Sequence, residues 1–300
     1  MLLYRETSAK DTLLRAKTWL DAQVGAERWF LWVHLFDPHD PYAAPDEFAA
    51  ALPDHPYDAE IAFVDRAVGQ LLLWLEEAGV RKRTLVSVVG DHGESLGDHG
   101  ESTHGLFVYD ATLRVPWILS HPSLPQGGIV QKVVSVVDLM PTVLTLLDVE
   151  APLDGLHGRS HARNLLQYQE VAPDRAIYSE AMHSLQHPGW ADLRTIRTNE
   201  MRYIEAPRPE LYEALSDTAE RRNLYGQRDT APFVERLRKF DGDSLAPAPL
   251  EDGSDPLAEL GYVQAVGADS GGESIDPKDV LAEVEATQSA LRAIRAGRHA

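Results

Sequence analysis

The sequence predicts an α/β fold in which helices flank a parallel or mixed sheet, followed by a small antiparallel subdomain and a helical tail. Two apolar runs, residues 29–36 (WFLWVHLF) and 84–89 (TLVSVV), have the composition of buried strands and enclose the amphipathic stretch 57–79. Strand, helix and strand in that order form a βαβ unit with a right-handed crossover. From residue 176 the pattern changes to short segments around an Asn199-Glu200 turn, which favours an antiparallel hairpin.

Helices are predicted where apolar residues recur at helical spacing. Residues 7–24 form an amphipathic helix with Ser8 as a candidate cap, and the helix over 57–79 ends at Gly79. A third helix begins at Asp138, with Pro141 in its first turn, where a missing N–H is harmless. Residues 155–166 are interpreted as a loop that enters a short helix. Three side chains of that stretch are predicted to lie on a solvated turn: His157, Arg159 and His161.

Further strands are predicted over residues 113–119, at an edge or bulge because of Pro116, and over 129–137. Residues 210–225 are predicted to form a strand, a turn and a helix. After Arg228 the chain becomes acidic and rich in Pro, Gly and Ser, as in a linker.

The terminal stretch 276–297 is predicted to be a capped amphipathic helix with no partner visible in the chain. These changes divide the sequence into three predicted regions. They are an α/β catalytic domain (1–170), a small α+β subdomain (171–228), and an acidic linker with a terminal helix (229–300).

Composition excludes several classes of function. The formal net charge of −19 argues against nucleic acid or an anionic membrane as a partner. The chain has no cysteine, which removes disulfides, Cys-ligated zinc and thiol nucleophiles. No apolar run approaches the ~18 residues of a membrane span, and the first residues do not resemble a signal peptide. The sequence gives no localisation.

The loop after the strand at 84–89 carries the residues best suited to chemistry. Asp91 and His92 follow Gly90 directly, and the heptapeptide GDHGESL recurs almost unchanged as GDHGEST before His104. Ligands of open α/β sheets bind beyond the carboxyl ends of strands. The density of carboxylate and imidazole donors indicates a metal or anion site, because a cation needs several donors that converge on one point.

A second candidate is His39, in the segment DPHDPY that follows the first apolar run. Two prolines fix the backbone there, and a rigidly held histidine suits proton transfer or anion binding. The alternative is a turn residue that bonds to its own backbone. His34, inside the apolar run, is interpreted as a core histidine.

The motifs occur in the order found in bacterial sulfatases of the alkaline phosphatase-like superfamily, which residues 10–225 resemble. The segments that carry the resemblance are DPHDPY, YDAEIAFVD, GDHGESLGDHGESTHG, LRVPWI, VVSVVDLMPTVLTLL, DGLHGRS and ELYEALSDTAERRNL. The resemblance implies a partial doubly wound mixed sheet with flanking helices. It also implies a metal-dependent hydrolase acting on a small-molecule or glycan sulfate ester.

The resemblance implies a role for each candidate residue. Asp91 and His92 occupy the positions of metal ligands, His39 resembles the histidine that contacts the sulfate ester, and His104 sits where the family places a sulfate-binding Lys or His. Asp98 and His99 repeat the ligand dipeptide and are interpreted as outer or surface residues. Calcium is the first choice of metal, and the imidazole of His92 leaves manganese or zinc open.

The chain also departs from the family pattern. Family members carry an Asp pair on an earlier strand, and then a formylglycine made from Cys or Ser in a motif with Pro and Arg. Neither is found, since SHPSL at 120–124 ends in Leu124 where the Arg should be. We therefore expect an incomplete catalytic domain that is inactive alone. Two alternatives stay open, a phosphodiesterase or phosphonate monoester hydrolase of the same superfamily and a non-catalytic metal-binding remnant.

Two partners follow from the resemblance. A missing N-terminal half would complete the site. The segments LAELGYV and DPKD resemble the stretch that joins some sulfatases to tetratricopeptide repeats, which implies a tetratricopeptide-like partner.

Overall fold

Helices dominate the first part of the chain, and an antiparallel sheet dominates the second. A computed structural model describes residues 7–23, 25–150, 155–167, 175–182, 189–240 and 274–295. The chain divides into one unit of residues 1–86 with 119–122 and another of 87–118 with 123–300. In chain order the elements are α1 (Ala9–Gln23), α2 (Asp46–Ala51), α3 (Pro56–Glu77), β1 (Val86–Val89), α4 (Asp110–Leu113), β2 (Trp117–Ser120), α5 (Leu139–Leu146), α6 (Ala162–Gln167), β3 (Ile177–Ala181), β4 (Leu193–Arg197), β5 (Met201–Glu205), β6 (Glu210–Glu213), α7 (Ala231–Arg238) and α8 (Leu281–Arg295).

The first unit is built on α1 and α3, which confirms both predicted helices. Ala9 and Leu13 of α1 are buried with Phe63 and Ala67 of α3 in one apolar cluster. The hydroxyl of Ser8 accepts a hydrogen bond from the backbone N–H of Asp11 at 3.3 Å, as expected of a residue that caps a helix start. The two helices therefore form the core of this unit.

The predicted strand at 29–36 is wrong, because within the described residues no strand pairs with this segment. Its side chains still alternate: Leu31 and Val33 pack against the helical clusters, while Phe30 and Trp32 are 80% and 74% exposed. Alternation gives the sequence the appearance of a strand, but a strand also needs a hydrogen-bonding neighbour. His34 is exposed and is not the core histidine that the sequence suggested. The βαβ unit is accordingly not formed within these residues.

Strands β1 and β2 form a two-stranded sheet. The predicted strand at 84–89 is confirmed, and the one at 113–119 appears as β2, preceded by α4. The predicted strand at 129–137 is wrong. Ile129 is 80% exposed, and the run ends in a 3-10 turn over Val136–Asp138. β-Branched composition alone does not make a strand where no neighbour is paired.

The second unit contains a four-stranded antiparallel sheet in the order β3-β4-β5-β6, which confirms the predicted hairpin. The helix predicted after β6 is wrong. The carboxylate of Asp217 accepts hydrogen bonds from the backbone N–H groups of Arg221 and Arg222, at 3.0 and 2.8 Å. Such local side-chain acceptors compete with helical hydrogen bonding and favour turns.

The predicted solvated turn at 155–161 is wrong for His161. Its side chain is buried, and Nε2 lies 2.9 Å from Oδ2 of Asp138. Asp138 is fully buried and directly precedes α5, where the sequence predicted a helix start, but its side chain does not cap that helix. Its carboxylate also accepts hydrogen bonds from the backbone N–H of Arg159 and from the Arg175 guanidinium. The buried aspartate therefore organises this loop.

The predicted linker after Arg228 contains α7, whose Leu237 is buried against the antiparallel sheet. Residues 241–273, including LAELGYV, lie outside the described residues. The terminal helix is confirmed as α8 with a 3-10 turn at Pro277–Asp279 before it, but it does have a partner in the chain, because Leu281 and Val284 pack against a buried cluster. The predicted domain boundaries stay a prediction. None of the helices in the described ranges has the length and apolar character needed to cross a lipid bilayer.

Candidate active site

Two glycines of the loop that follows β1 hold it close to α4 and to Pro116, which precedes β2. Gly90 donates its backbone N–H to the carbonyl of Pro116 at 3.1 Å, and Gly93 donates to the carbonyl of Thr112 at 2.6 Å. A Cβ atom on Gly93 would lie 2.2 Å from the carbonyl oxygen of Ala111, so only glycine allows this approach. The loop is therefore fixed on both sides of Asp91 and His92.

Asp91 and His92 present their side chains side by side. Nε2 of His92 lies 3.8 Å from Oδ2 of Asp91, and both side chains are partly exposed. Nδ1 of His92 lies 2.9 Å from the carbonyl oxygen of Gly93. A carbonyl oxygen only accepts, so Nδ1 donates this hydrogen bond, and Nε2 is the ring nitrogen that lies near Asp91.

His104 lies directly against His92. The two ring centroids are 3.9 Å apart, with the ring planes at 33°. Nδ1 of His104 donates to the Glu94 carboxylate, 3.1 Å from Oε1, and the side chain of Glu94 is 4% exposed. Glu94 thus orients the ring of His104, as the Gly93 carbonyl orients that of His92.

Burial lowers the pKa of His104, but the hydrogen bond and charge of Glu94, aided by the charges of Glu101 and Asp91, outweigh that effect. The net pKa of His104 is raised above its ordinary value. The surroundings of His104 therefore favour its protonated, positively charged form.

A buried carboxylate that the sequence analysis did not single out shapes the rest of the loop. Glu101 is 1% exposed, and it accepts hydrogen bonds from the backbone N–H groups of Leu106 and Phe107, at 2.6 and 3.2 Å. Burial raises its pKa, against those two backbone hydrogen bonds and one from the hydroxyl of Ser95. The Glu-Ser pairs of the repeated heptapeptide were the available signal. Sequence alone did not show that Glu101 would face inward.

The repeated dipeptide Asp98-His99 lies elsewhere. Asp98 is exposed and 3.7 Å from a guanidinium nitrogen of Arg221. The ring of His99 stacks on Tyr109 with centroids 3.5 Å apart, and burial lowers its pKa. Neither contact involves Asp91 or His92, so only the first copy of the repeat joins the cluster with His104.

His39 belongs to the first unit and is rigidly held there. Its backbone N–H donates to Oε2 of Glu60 at 2.9 Å, and that buried carboxylate also accepts from the N–H of Ala43. Nδ1 of His39 lies 2.7 Å from the carbonyl oxygen of Asp40, and its ring stacks on Phe36. The sequence analysis missed Glu60, which looks like a surface residue of an amphipathic helix.

The residues present suit a divalent metal in part. Within the described residues, no group of three or more His, Asp or Glu side chains is arranged as a metal site. Asp91 and His92 nevertheless offer one carboxylate and one imidazole whose ring is oriented by an outer hydrogen bond, a recurrent arrangement at metal sites. Metal–ligand bonds of about 2.0–2.5 Å span the 3.8 Å between these two donor atoms.

Two family models match the sequence. The model described as Sulfatase matches residues 3–149, and the model described as N-sulphoglucosamine sulphohydrolase, C-terminal, matches residues 97–241. The chain belongs to the sulfatase family. This confirms the resemblance drawn from the motifs.

Several relatives of this sulfatase-family chain are named as sulfatases. It is 26% identical over 202 residues to arylsulfatase K of Bos taurus, covering 62% of the chain and 34% of the relative. It is 28% identical over 196 residues to N-acetylglucosamine-6-O-sulfatase of Bacteroides thetaiotaomicron, covering 61% and 34%. The chain thus spans about a third of the length of the curated relatives it matches.

A solved structure supports the fold. The phosphonate monoester hydrolase SpPMH of Silicibacter pomeroyi superposes with a TM-score of 0.63 at 22% identity, over 83% of this chain and 64% of that one. The likeness confirms the predicted α/β fold class.

Proposed function

We propose that this chain supplies metal-binding and anion-binding residues to an enzyme that hydrolyses sulfate esters. The observation that carries the proposal is the close contact of the His92 and His104 rings beside the carboxylate of Asp91, with each ring oriented by its own hydrogen-bond acceptor. Family membership and the names of the relatives support the reaction class. The name of the glucosamine sulfatase among those relatives supports a sulfated glycan or a smaller sulfate ester as substrate.

Each residue has a distinct part in this proposal. Asp91 and His92 would hold a divalent cation, with calcium as the first choice and manganese or zinc as alternatives. The cation would supply a positive charge against the oxygens of the sulfate ester. His104, oriented by Glu94, would donate a hydrogen bond to the sulfate and a proton to the leaving oxygen. His39 is assigned as a sulfate contact because of its position in the DPHDPY motif and because hydrogen bonds hold it rigidly.

Metal binding tests this assignment. Asp91→Asn is expected to weaken calcium affinity by about tenfold or more, because even outer partners of metal ligands change affinity by that factor. Isothermal titration calorimetry of the 300-residue chain measures the change. Asp98→Asn is the matched control, since it alters the second copy of the same dipeptide, and its affinity should stay within about twofold. Equal losses in the two variants would place the metal elsewhere.

Anion binding and turnover separate the alternative functions. With calcium present, we expect the chain to bind inorganic sulfate and the His104→Ala variant to lose that binding. We expect the chain to hydrolyse neither p-nitrophenyl sulfate nor p-nitrophenyl phosphate. Turnover is expected to be negligible because the sequence has no cysteine and no Ser-X-Pro-X-Arg segment to supply the nucleophile. Robust hydrolysis of p-nitrophenyl sulfate would contradict this expectation.

A phosphonate monoester hydrolase or phosphodiesterase is the second candidate function, favoured by the fold likeness to the enzyme from Silicibacter pomeroyi. Tighter binding of phosphate than of sulfate would support it. Calcium binding without either anion would instead support a non-catalytic metal-binding module.

A further inference from the structure

The helix α8 contacts the backbone of the loop just before His104. Oε1 of Glu285 accepts a hydrogen bond from the backbone N–H of Ser102 at 3.0 Å. Oε1 of Gln288 accepts from the Ser102 hydroxyl at 3.0 Å, and Nε2 of Gln288 donates to Oγ1 of Thr103 at 3.3 Å. Two polar side chains of one helix face therefore bind both residues that precede the histidine.

The apolar side chains of α8 pack on the residues that follow His104. Leu281 and Val284 contact the buried cluster that contains Leu106–Tyr109. On the other side of the loop, a Cβ atom on Gly100 would lie 2.4 Å from Cδ2 of Leu281, and the φ of Gly100 is +87°. The helix thus contacts the loop both before and after His104 in sequence.

The start of α8 is anchored to the antiparallel sheet. Ile275 forms a parallel bridge with Trp190, and the buried carboxylate of Asp276 accepts a hydrogen bond from the backbone N–H of Arg208 at 3.1 Å. The ammonium group of Lys278 pairs with Glu210 of β6. These contacts fix the direction in which the helix leaves the sheet.

We propose that α8 is a positioning element for His104, with Glu285 and Gln288 as the positioning residues. Residues 102 and 103 lead directly to His104, so the hydrogen bonds from α8 determine the direction in which its imidazole faces His92 and Glu94. A carboxylate that accepts a partly buried backbone N–H limits the conformations of a loop more than packing alone does. The proposal rests on the proposed function, since it concerns the residue assigned there to the sulfate.

Glu285→Ala tests the positioning role. Loss of an acceptor that is charged is expected to raise the amide hydrogen exchange rate of Ser102 by about tenfold or more, measured by NMR. It is also expected to shift the His104 imidazole signals and to weaken inorganic sulfate binding by about tenfold, while calcium affinity stays unchanged. Glu285→Gln keeps an oxygen acceptor and should restore both the exchange rate and the sulfate affinity.

Glu283→Ala is the matched control, because it removes the same charge from an exposed position of the same helix. The proposal is overturned if Glu283→Ala reproduces the effects of Glu285→Ala, or if Glu285→Ala leaves the Ser102 exchange rate and the His104 signals unchanged. Gln288→Ala is a second variant, which removes the hydrogen bonds of α8 to the side chains of Ser102 and Thr103 in the same loop. The exchange rate and the imidazole signals need no bound sulfate. These two measurements therefore test the positioning role of α8 independently of the proposed function.

Discussion

Replacing Arg202 by methionine is expected to lower the free energy of unfolding by about 3–5 kcal/mol, as when one partner of a buried ion pair is removed. Arg202 lies in β5 and is 2% exposed. Its guanidinium donates to the carbonyl of Val108 at 2.8 Å, pairs with Asp110, and lies 2.7 Å from Oε1 of Glu220. Methionine fills similar volume but leaves the buried Glu220 and the partly buried Asp110 without this cation.

The loss of stability in Arg202→Met should depend on pH, because the variant changes the surroundings of the Glu220 carboxyl. Burial raises the pKa of Glu220 to about 7, against the charge of Arg202 and a hydrogen bond from the backbone N–H of Asp110. The folded protein therefore holds this proton more tightly than the unfolded chain. The resulting stability is fully present below about pH 4.5 and is lost as the pH rises through about 7. Without the positive charge of Arg202, the pKa of Glu220 rises further. The variant should therefore continue to lose stability at higher pH.

Urea unfolding at pH 5, 7 and 8 measures this prediction. Arg208→Met is the matched control, because Arg208 is exposed and its solvent-screened ion pairs with Asp276 and Asp279 should contribute little to stability. Adding Glu220→Gln to Arg202→Met should recover part of the loss at pH 8. A loss of less than 1 kcal/mol in Arg202→Met would show that the buried cluster contributes little.

Asp138→Asn is expected to cost about 3 kcal/mol at pH 7, because the variant leaves the partly buried guanidinium of Arg175 without its anion. Burial alone would raise the pKa of Asp138. Hydrogen bonds from His161, Arg175 and two backbone N–H groups outweigh it and hold the pKa well below its usual range. The contribution of Asp138 is therefore present above about pH 4 and is lost as the pH falls through its lowered pKa.

The measurement compares the unfolding free energies of the natural chain and the variant at pH 7 and pH 3. The difference should shrink at the lower pH. Asp148→Asn is a suitable control: Asp148 is exposed with a φ of +51°, a conformation that asparagine tolerates, so its effect should stay within about 0.5 kcal/mol. A difference that stays constant or grows towards pH 3 would contradict the role assigned to the buried aspartate.

Local patterns predicted the elements that depend on local chemistry. Helical spacing located α1 and α3, and the turn at Asn199 located the β4–β5 hairpin. The segment 29–36 failed because the alternation of a strand is a property of one segment, whereas strand pairing is a property of two. The helix expected after β6 failed because Asp217 competes for the backbone N–H groups that a helix would use.

The candidate site was predictable only in its residue types. The position of Asp91 and His92 after an apolar strand and the nearby His104 were visible in the sequence, and the cluster of these side chains in the structure agrees with that grouping. Their assignment as metal ligands and sulfate contact stays a proposal. The orienting role of Glu94 and the inward face of Glu101 were not visible, because both depend on how the loop closes on itself. The contact with α8 was beyond any local pattern.

The hydrogen bond between Ser102 and Glu285 joins residues separated by 183 positions. During translation, at about 5–20 residues per second, the loop around His104 therefore emerges from the ribosome roughly 10–40 s before the helix that holds it. Until then, its backbone lacks the carboxylate that accepts the Ser102 amide. The histidine pair should reach its final arrangement late in biosynthesis, after the antiparallel sheet to which α8 is anchored.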